Sequence, residues 1–141
     1  MNNNSLFQGY QVGQTAFFEK KILEEDVIQF ATVTEDNNPI HLDEEFAKKS
    51  IFKTRVSHGM LTASFFSTIF GTKFPGNGCI YLEQNLRFTN PVFLDDKVVA
   101  TVTLTEIEPK SRILTFDTNC HVRDNLVVTG SAKILILKES V

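Results

Sequence analysis

The 141-residue sequence contains no tryptophan, only two cysteines and a net charge of −3. Cys79 and Cys120 lie far apart in apolar stretches and lack the spacing of metal ligands. We therefore expect two reduced core residues, with neither a disulfide nor a metal site. Lysines and arginines are scattered along the chain, which argues against a nucleic-acid-binding surface because such a surface needs a basic patch or stripe.

Long apolar runs are also missing. The most apolar stretch, Met60 to Phe70, is too short to span a bilayer, and the segment Met1–Ser5 lacks the basic start and apolar run of a signal peptide. These features favour a cytoplasmic protein that does not bind membranes. We predict one domain over residues 1–141, with residues 1–9 as a flexible tail.

Phenylalanine is what the sequence has in excess, with 13 Phe against two Tyr. Phenylalanine supplies apolar area without a polar tip, so it suits either a core or an apolar ligand tunnel. Apolar residues make up 42% of the chain and charged residues 22%, as in a globular domain.

One strongly helical stretch runs from Ser57 to Gly71. Ser57 or His58 can cap its start, and Gly71 can end it in the left-handed conformation. Its apolar residues cover most of the helix surface and no charged residue occurs before Lys73, so the pattern predicts a buried helix.

Strand-length segments follow this helix and are joined by short turns. They are Cys79–Thr89, Val98–Glu108, Arg112–Arg123 and Leu126–Leu137, with a looser candidate strand at Gln11–Phe18 and short helices starting near Glu24 and Glu44. In the first of them we expect Ile80, Leu82, Leu86 and Phe88 on one face. Together the segments predict an α+β domain in which a long antiparallel sheet wraps around one buried central helix, which is the hot-dog fold. An open sheet edge favours pairing with a second copy.

Three sets of residues could carry chemistry. Asp36 and His41 flank a turn stiffened by Asn38-Pro39, and are either a plain capped turn or an acid–base pair for adding water to a double bond. Gly59 begins the buried helix, and its amide could either polarise a carbonyl or simply let the helix start against the sheet. Ser67 either bonds its own helix or orients Asp36.

The order and identity of these residues resemble the hydratase-2 motif of MaoC-like proteins, and most closely the short (R)-specific enoyl-CoA hydratases. Glu35–Asp43 and Ser57–Met60 carry the likeness, which continues through Pro75–Leu82 and Leu86–Val92. It covers nearly the whole chain, and the combined pattern is far more specific than any single part.

This resemblance implies a homodimer that hydrates trans-2-enoyl-CoA to (R)-3-hydroxyacyl-CoA without a cofactor. Asp36 and His41 would be the catalytic pair, Gly59 the oxyanion amide and Ser67 a hydrogen-bond partner of Asp36. Asn38 and His58 would support the loop and the bound substrate.

The acyl chain and the CoA phosphates need partners too. Phe66 and Phe70 are candidates to line an acyl pocket behind the helix, and three cations, Arg55, Lys73 and Arg87, are available for the phosphates. A hot-dog thioesterase or acyl-carrier dehydratase is a weaker alternative because Gly59–Thr72 contains no carboxylate. A non-catalytic acyl-CoA-binding module is a further alternative.

Overall fold

The computed structural model describes residues 7–138, which form five strands and four helices. In chain order these are β1 (Thr15–Lys21), α1 (Glu24–Thr34), α2 (Pro39–Leu42), α3 (Glu44–Ala47), α4 (Gly59–Thr72), β2 (Cys79–Phe88), β3 (Lys97–Glu108), β4 (Ile113–Val122) and β5 (Asn125–Ile136). None of the helices within residues 7–138 is long and apolar enough to cross a membrane.

The strands form one antiparallel sheet in the order β1-β3-β4-β5-β2. Strands β3, β4 and β5 follow one another through short turns, whereas β2 comes directly after α4 and joins the far side of β5. Helix α4 lies on this sheet and contacts all five strands. The α+β hot-dog fold expected from the sequence is confirmed.

Helix α4 is buried on the faces that carry its large apolar residues. Leu61, Phe65, Phe66, Ile69 and Phe70 belong to the main core cluster, whereas its two serines are exposed. Two details of the prediction need correction. The helix does not end at Gly71 in the left-handed conformation; it continues through Thr72, and its C-cap is Lys73, whose φ is also negative.

Strand β2 departs from the regular alternation expected of it. Its pairing with β5 shifts register between Tyr81 and Glu83, which marks a bulge. Because the extra residue changes the phase, Tyr81 points inward onto the Phe70 ring, at 5.2 Å between ring centroids. Tyr81 is still 37% exposed, and Ile80 and Leu82 are more exposed, at 43% and 49%. The predicted facing is therefore wrong for Ile80 and Leu82, while Leu86 does pack against the core as predicted.

The predicted tail lies largely outside the described residues, since description begins at residue 7. Phe7 itself is buried and its ring contacts Tyr10, with centroids 5.8 Å apart. The tail prediction is therefore wrong at Phe7, which is part of the core.

Candidate active site

Helix α2 fixes the direction of His41. The side-chain oxygen of Asn38 accepts a hydrogen bond from the Ile40 amide at 3.1 Å, and Pro39 occupies the first helical position. Both features favour a helix start at this point. Asn38 thus acts on the backbone that carries His41, in keeping with the expectation that it supports the loop.

Arg55 holds the other end of α2. Its Nε donates to the carbonyl oxygen of His41 at 2.8 Å, and its guanidinium pairs with Glu24 of α1, also at 2.8 Å. The side chain is largely buried. From the sequence, Arg55 was a candidate to bind the CoA phosphates. In the structure it instead binds the backbone carbonyl of His41, a contact that residue spacing could not predict.

The two ring nitrogens of His41 have different surroundings. Nδ1 lies 2.7 Å from the carbonyl oxygen of Val56, so it carries the proton and donates. Nε2 is then the basic nitrogen. Burial lowers the pKa of His41 and neighbouring His58 lowers it further, whereas the Val56 carbonyl and Asp36 oppose this. His41 is therefore held neutral near pH 7, with a lone pair on Nε2.

His58 lies beneath this pair and is only 2% exposed. Its ring stacks on His41, with centroids 3.8 Å apart, and its other side meets Phe30 at 4.8 Å. Nε2 donates to the carbonyl oxygen of Asp36 at 3.1 Å. Within residues 7–138, Nδ1 has no hydrogen-bond partner. His58 therefore connects Asp36, His41 and the start of α4, where it is the N-cap.

These contacts bring together Asp36, His41 and His58. One polar atom from each lies within 4.8 Å of the others, and the Asp36 side chain is 51% exposed. The same groups are potential metal ligands, but Nδ1 of His41 and Nε2 of His58 are already bonded to backbone carbonyl oxygens. The arrangement is better suited to holding a water molecule between a carboxylate and a basic nitrogen.

Gly59, the first residue of α4, has an amide with no carbonyl partner inside the helix. A Cβ at this position would lie 2.8 Å from the ring of Phe88 on β2. With Phe88 in this position, a larger residue than glycine would require its ring to move. The amide at the helix N-terminus is placed to donate to a partly negative oxygen.

A cavity of about 450 Å³ opens beside Gly59. Thr62, fully buried, contributes to its wall, and its hydroxyl has no hydrogen-bond partner within residues 7–138. Asp36, His41 and His58 are not part of the wall. The lining residues are Phe52, Val56, Ser57, Gly59, Met60, Thr62, Phe88, Thr89, Asn90, Pro91, Val92, Val127 and Val128.

Phe66 and Phe70 do not line this cavity. They are 0% and 1% exposed, and the Phe70 ring packs edge-on against Phe116 at 4.9 Å. Both rings belong to the buried core.

Ser67 is not next to Asp36 in the same chain. Asp36 adjoins His58 at the N-terminal end of α4, whereas Ser67 is exposed and lies about 13 Å further along the axis at roughly 1.5 Å per residue. A hydrogen bond between Ser67 and Asp36 of one chain is not compatible with this separation. Of the other predicted phosphate partners, Lys73 lies at the opposite end of α4 from Gly59.

An antiparallel sheet packed on a central helix defines a hot-dog protein, and in this one an acid and two imidazoles lie near the N-terminus of that helix. The family model described as MaoC like domain matches residues 9–125. The chain belongs to the MaoC-like family.

Relatives within this family are similar over most of their length. The (R)-specific enoyl-CoA hydratase of Rhodospirillum rubrum is 42% identical, over 92% of this chain and 90% of the relative. The 3-hydroxybutyryl-CoA dehydratase of Methylorubrum extorquens is 39% identical, over 94% and 85%. The solved structure of the (R)-hydratase from A. caviae involved in PHA biosynthesis superposes with a TM-score of 0.89 at 41% identity, covering 92% of this chain and 98% of that one.

Proposed function

We propose that this protein hydrates trans-2-enoyl-CoA to (R)-3-hydroxyacyl-CoA, using Asp36 and His41 as its catalytic pair. The observation that carries the proposal is geometric: a ring nitrogen of His41 and a carboxylate oxygen of Asp36 lie within 4.8 Å of each other near the N-terminus of α4. Nδ1 of His41 is bonded to the Val56 carbonyl, and burial lowers the pKa of the ring, which favours its neutral form. Relatives at 39–42% identity are named for this chemistry in its two directions, hydration and dehydration.

The Gly59 amide binds the thioester carbonyl oxygen and stabilises the enolate-like charge that develops when C3 is attacked. A single water molecule donates two hydrogen bonds, one to the Asp36 carboxylate and the other to Nε2 of His41. Its oxygen forms the new C3–O bond, the pair takes one proton, and the same proton is returned to C2 on the same face. The two groups act as a coupled unit that is unchanged after the cycle. The reverse sequence removes water from the hydroxyacyl thioester.

A second copy of the chain completes the site in this proposal. Strand β2 has no strand partner on its outer side within the described residues, and Ile80 and Leu82 are exposed along it. Pairing of two copies at this edge would cover these side chains. Because Ser67 is too far from Asp36 within one chain, we assign its hydrogen bond to Asp36 of the partner subunit.

The thioesterase alternative lacks a group to carry it, because α4 has no carboxylate along Gly59–Thr72. A non-catalytic binding module would not require an imidazole and a carboxylate next to each other. Hydration uses all of these groups.

The test follows the ultraviolet absorbance of the enoyl thioester with crotonyl-CoA as substrate. Wild type should lose the band and form the (R)-3-hydroxy product. Asp36→Asn and His41→Gln should each lower kcat by about 10²–10⁴, because each removes one acceptor for the water proton. Asp43→Asn, on the neighbouring turn, is the matched control and should retain activity.

An unchanged kcat in folded Asp36→Asn would remove Asp36 from the mechanism. No loss of the band with any enoyl thioester, in folded wild-type protein, would overturn the hydratase assignment and leave the binding module.

A further inference from the structure

Two buried polar atoms at the start of α4, Nδ1 of His58 and the hydroxyl of Thr62, have no hydrogen-bond partner within residues 7–138. His58 is 2% exposed and Thr62 is 0% exposed. Buried polar side-chain atoms are nearly always bonded, because an unpaired one retains the full cost of its removal from water. The two atoms therefore share the need for a partner at the same end of the helix.

The two atoms are complementary as acceptor and donor. The carbonyl oxygen of Asp36 can only accept, so Nε2 of His58 carries the proton of the neutral ring and Nδ1 carries a lone pair. The Thr62 hydroxyl can donate a proton to it. Thr62 follows His58 by four residues, and its amide donates to the His58 carbonyl oxygen at 3.5 Å, which closes the first turn of α4. Residues four apart on a helix are neighbours on its surface.

Thr62 also differs from other threonines in the helices of this protein. The hydroxyls of Thr32, Thr34 and Thr72 each donate to the carbonyl oxygen four residues earlier, at 2.8, 2.6 and 2.6 Å. This bond to the helix backbone is common for threonine. Within residues 7–138 the Thr62 hydroxyl makes no such bond, so its proton remains available to another acceptor.

We infer that the Thr62 hydroxyl donates to Nδ1 of His58, directly or through one internal water molecule, and that Thr62 is thereby a positioning residue for Asp36. Internal waters commonly bridge buried polar groups in this way. The inference rests on the proposed function, in which Asp36 supplies the catalytic carboxylate. Thr62 touches none of the reacting atoms and acts through the His58 ring.

The position of Asp36 depends on His58 because its other hydrogen bonds are long. Its amide donates to the Thr34 hydroxyl at 3.3 Å, and its carboxylate accepts from the Asn38 amide, also at 3.3 Å. The bond from Nε2 of His58 to the Asp36 carbonyl oxygen is 3.1 Å. A donor at Nδ1 keeps the ring proton on Nε2, because a nitrogen that accepts a hydrogen bond cannot also carry the proton. Thr62 therefore maintains the bond that holds the Asp36 loop.

The bond to Nδ1 can be tested without any assay of activity, since the nitrogen chemical shifts of 15N-labelled histidine report which ring nitrogen is protonated and whether the other is bonded. In wild type, His58 should show a protonated Nε2 and a hydrogen-bonded Nδ1. In Thr62→Val, which has nearly the shape of threonine, the Nδ1 signal should move to that of an unbonded nitrogen. Thr62→Ser keeps the hydroxyl and should restore the wild-type signal. An unchanged Nδ1 signal in folded Thr62→Val would overturn the inference.

The expected effect on catalysis is that of one lost hydrogen bond. Thr62→Val should lower kcat with crotonyl-CoA about fivefold and change KM less than about twofold, because the Asp36 carboxylate is less well placed while substrate binding is retained. Thr62→Ser should recover most of kcat. Thr72→Val, the same substitution in an exposed part of α4, is the control and should leave both constants unchanged. A wild-type kcat in Thr62→Val would remove the positioning role.

A double-mutant cycle tests whether Thr62 acts through His58. His58→Phe has no ring nitrogen, so adding Thr62→Val to it should cause no further fall in kcat. A further fall of about fivefold in the double variant, as large as in Thr62→Val alone, would show that Thr62 acts independently of His58 and would overturn the inference.

Failure of this inference and failure of the proposed function give different results. Inactivity of folded wild type toward every enoyl thioester would exclude the hydratase, while the nitrogen spectra would still decide whether the Thr62 hydroxyl bonds to His58. Full activity in Thr62→Val, together with an unchanged His58 spectrum, would leave the hydratase standing and remove only the role of Thr62.

Discussion

The buried ring of His58 binds Asp36 through the backbone, with Nε2 donating to the Asp36 carbonyl oxygen at 3.1 Å, while its face stacks on His41. Two functions are thus combined in one side chain. The N–H sets the position of the Asp36 loop, and the ring keeps water from one face of His41. His58 is consequently a positioning residue, and its two functions can be separated by substitution.

His58→Phe keeps a ring but removes the donor, whereas His58→Gln keeps an N–H donor but removes the ring. We expect kcat to fall about fivefold in His58→Phe, since one hydrogen bond of roughly 1 kcal/mol no longer holds the Asp36 loop. His58→Gln should lose less kcat. The acidic limb of its pH profile should shift to higher pH, because His41 becomes more exposed to water and its pKa is lowered less by burial. Equal kcat and identical pH profiles in both variants would mean that His58 serves packing alone.

The wild-type pH profile follows from the lowered pKa of His41. Burial disfavours the imidazolium, so the proton binds only at a pH below the ordinary value of about 6.5. If neutral His41 is the active form, kcat/KM should stay high as pH falls through 6.5 and drop only below it. Measurement of kcat/KM from pH 4.5 to 8 checks this; an acidic limb centred above about 7 would contradict the assignment.

Gly59 offers a prediction that separates steric fit from chemistry. Gly59→Ala places a methyl group against the Phe88 ring, and we expect a loss of about 1–3 kcal/mol in unfolding free energy together with lower activity. The double variant Gly59→Ala with Phe88→Leu has room for the methyl group and retains the amide, so stability and kcat should both recover in part. Activity that stays lost while stability returns would indicate a need for glycine beyond the contact with Phe88.

The helix and the sheet could be predicted from the sequence because they depend on local periodicity. The uncharged, largely apolar helix Gly59–Thr72 and the strand patterns after it were sufficient. The bulge between Tyr81 and Glu83 was not, because its extra residue is defined only by the pairing with β5, far along the chain. The alternation of apolar and polar residues in the sequence continues through this point, whereas the pairing of the backbone with β5 shifts register there.

The candidate site shows the same division. Asp36, His41 and Gly59 were predicted from a motif and lie at one end of α4. Arg55 was missed as a support because its partners are a backbone carbonyl and a glutamate on another helix, and neither leaves a pattern in sequence. The lining of an acyl pocket behind α4 by Phe66 and Phe70 stays a prediction: both rings are buried and neither lines the cavity beside Gly59.

Arg55 itself can be tested by a change that keeps its length. Arg55→Met leaves the carbonyl of His41 without its donor in a half-buried site, and we expect a loss of about 1–3 kcal/mol in unfolding free energy. Arg55→Lys cannot reach both His41 and Glu24 and should recover only part of this loss. Urea unfolding measures the stability, and Glu24→Gln, which leaves the bond to His41 intact, is the control. A Met variant as stable as wild type would show that water replaces the guanidinium.

Asp36 lies near the N-terminal end of α4 and Ser67 lies about two turns further along it. This separation leads to a prediction about mixed oligomers. Asp36→Asn and Ser67→Ala should each be impaired alone. If Ser67 completes the site of the partner subunit, a mixed dimer contains one site with neither defect, because the intact Asp36 and the intact Ser67 come from different chains. Coexpressed and doubly tagged mixed dimers should therefore recover up to about half of wild-type kcat per dimer, one restored site of the two expected for a twofold assembly. Ser67→Ala mixed with wild type, which should retain about one full site by the same reasoning, is the control. The arrangement would be excluded if the mixed dimers were no more active than the two parent variants. A separate measurement tests whether the β2 edge forms the contact: Leu82→Lys should shift toward monomer in sedimentation.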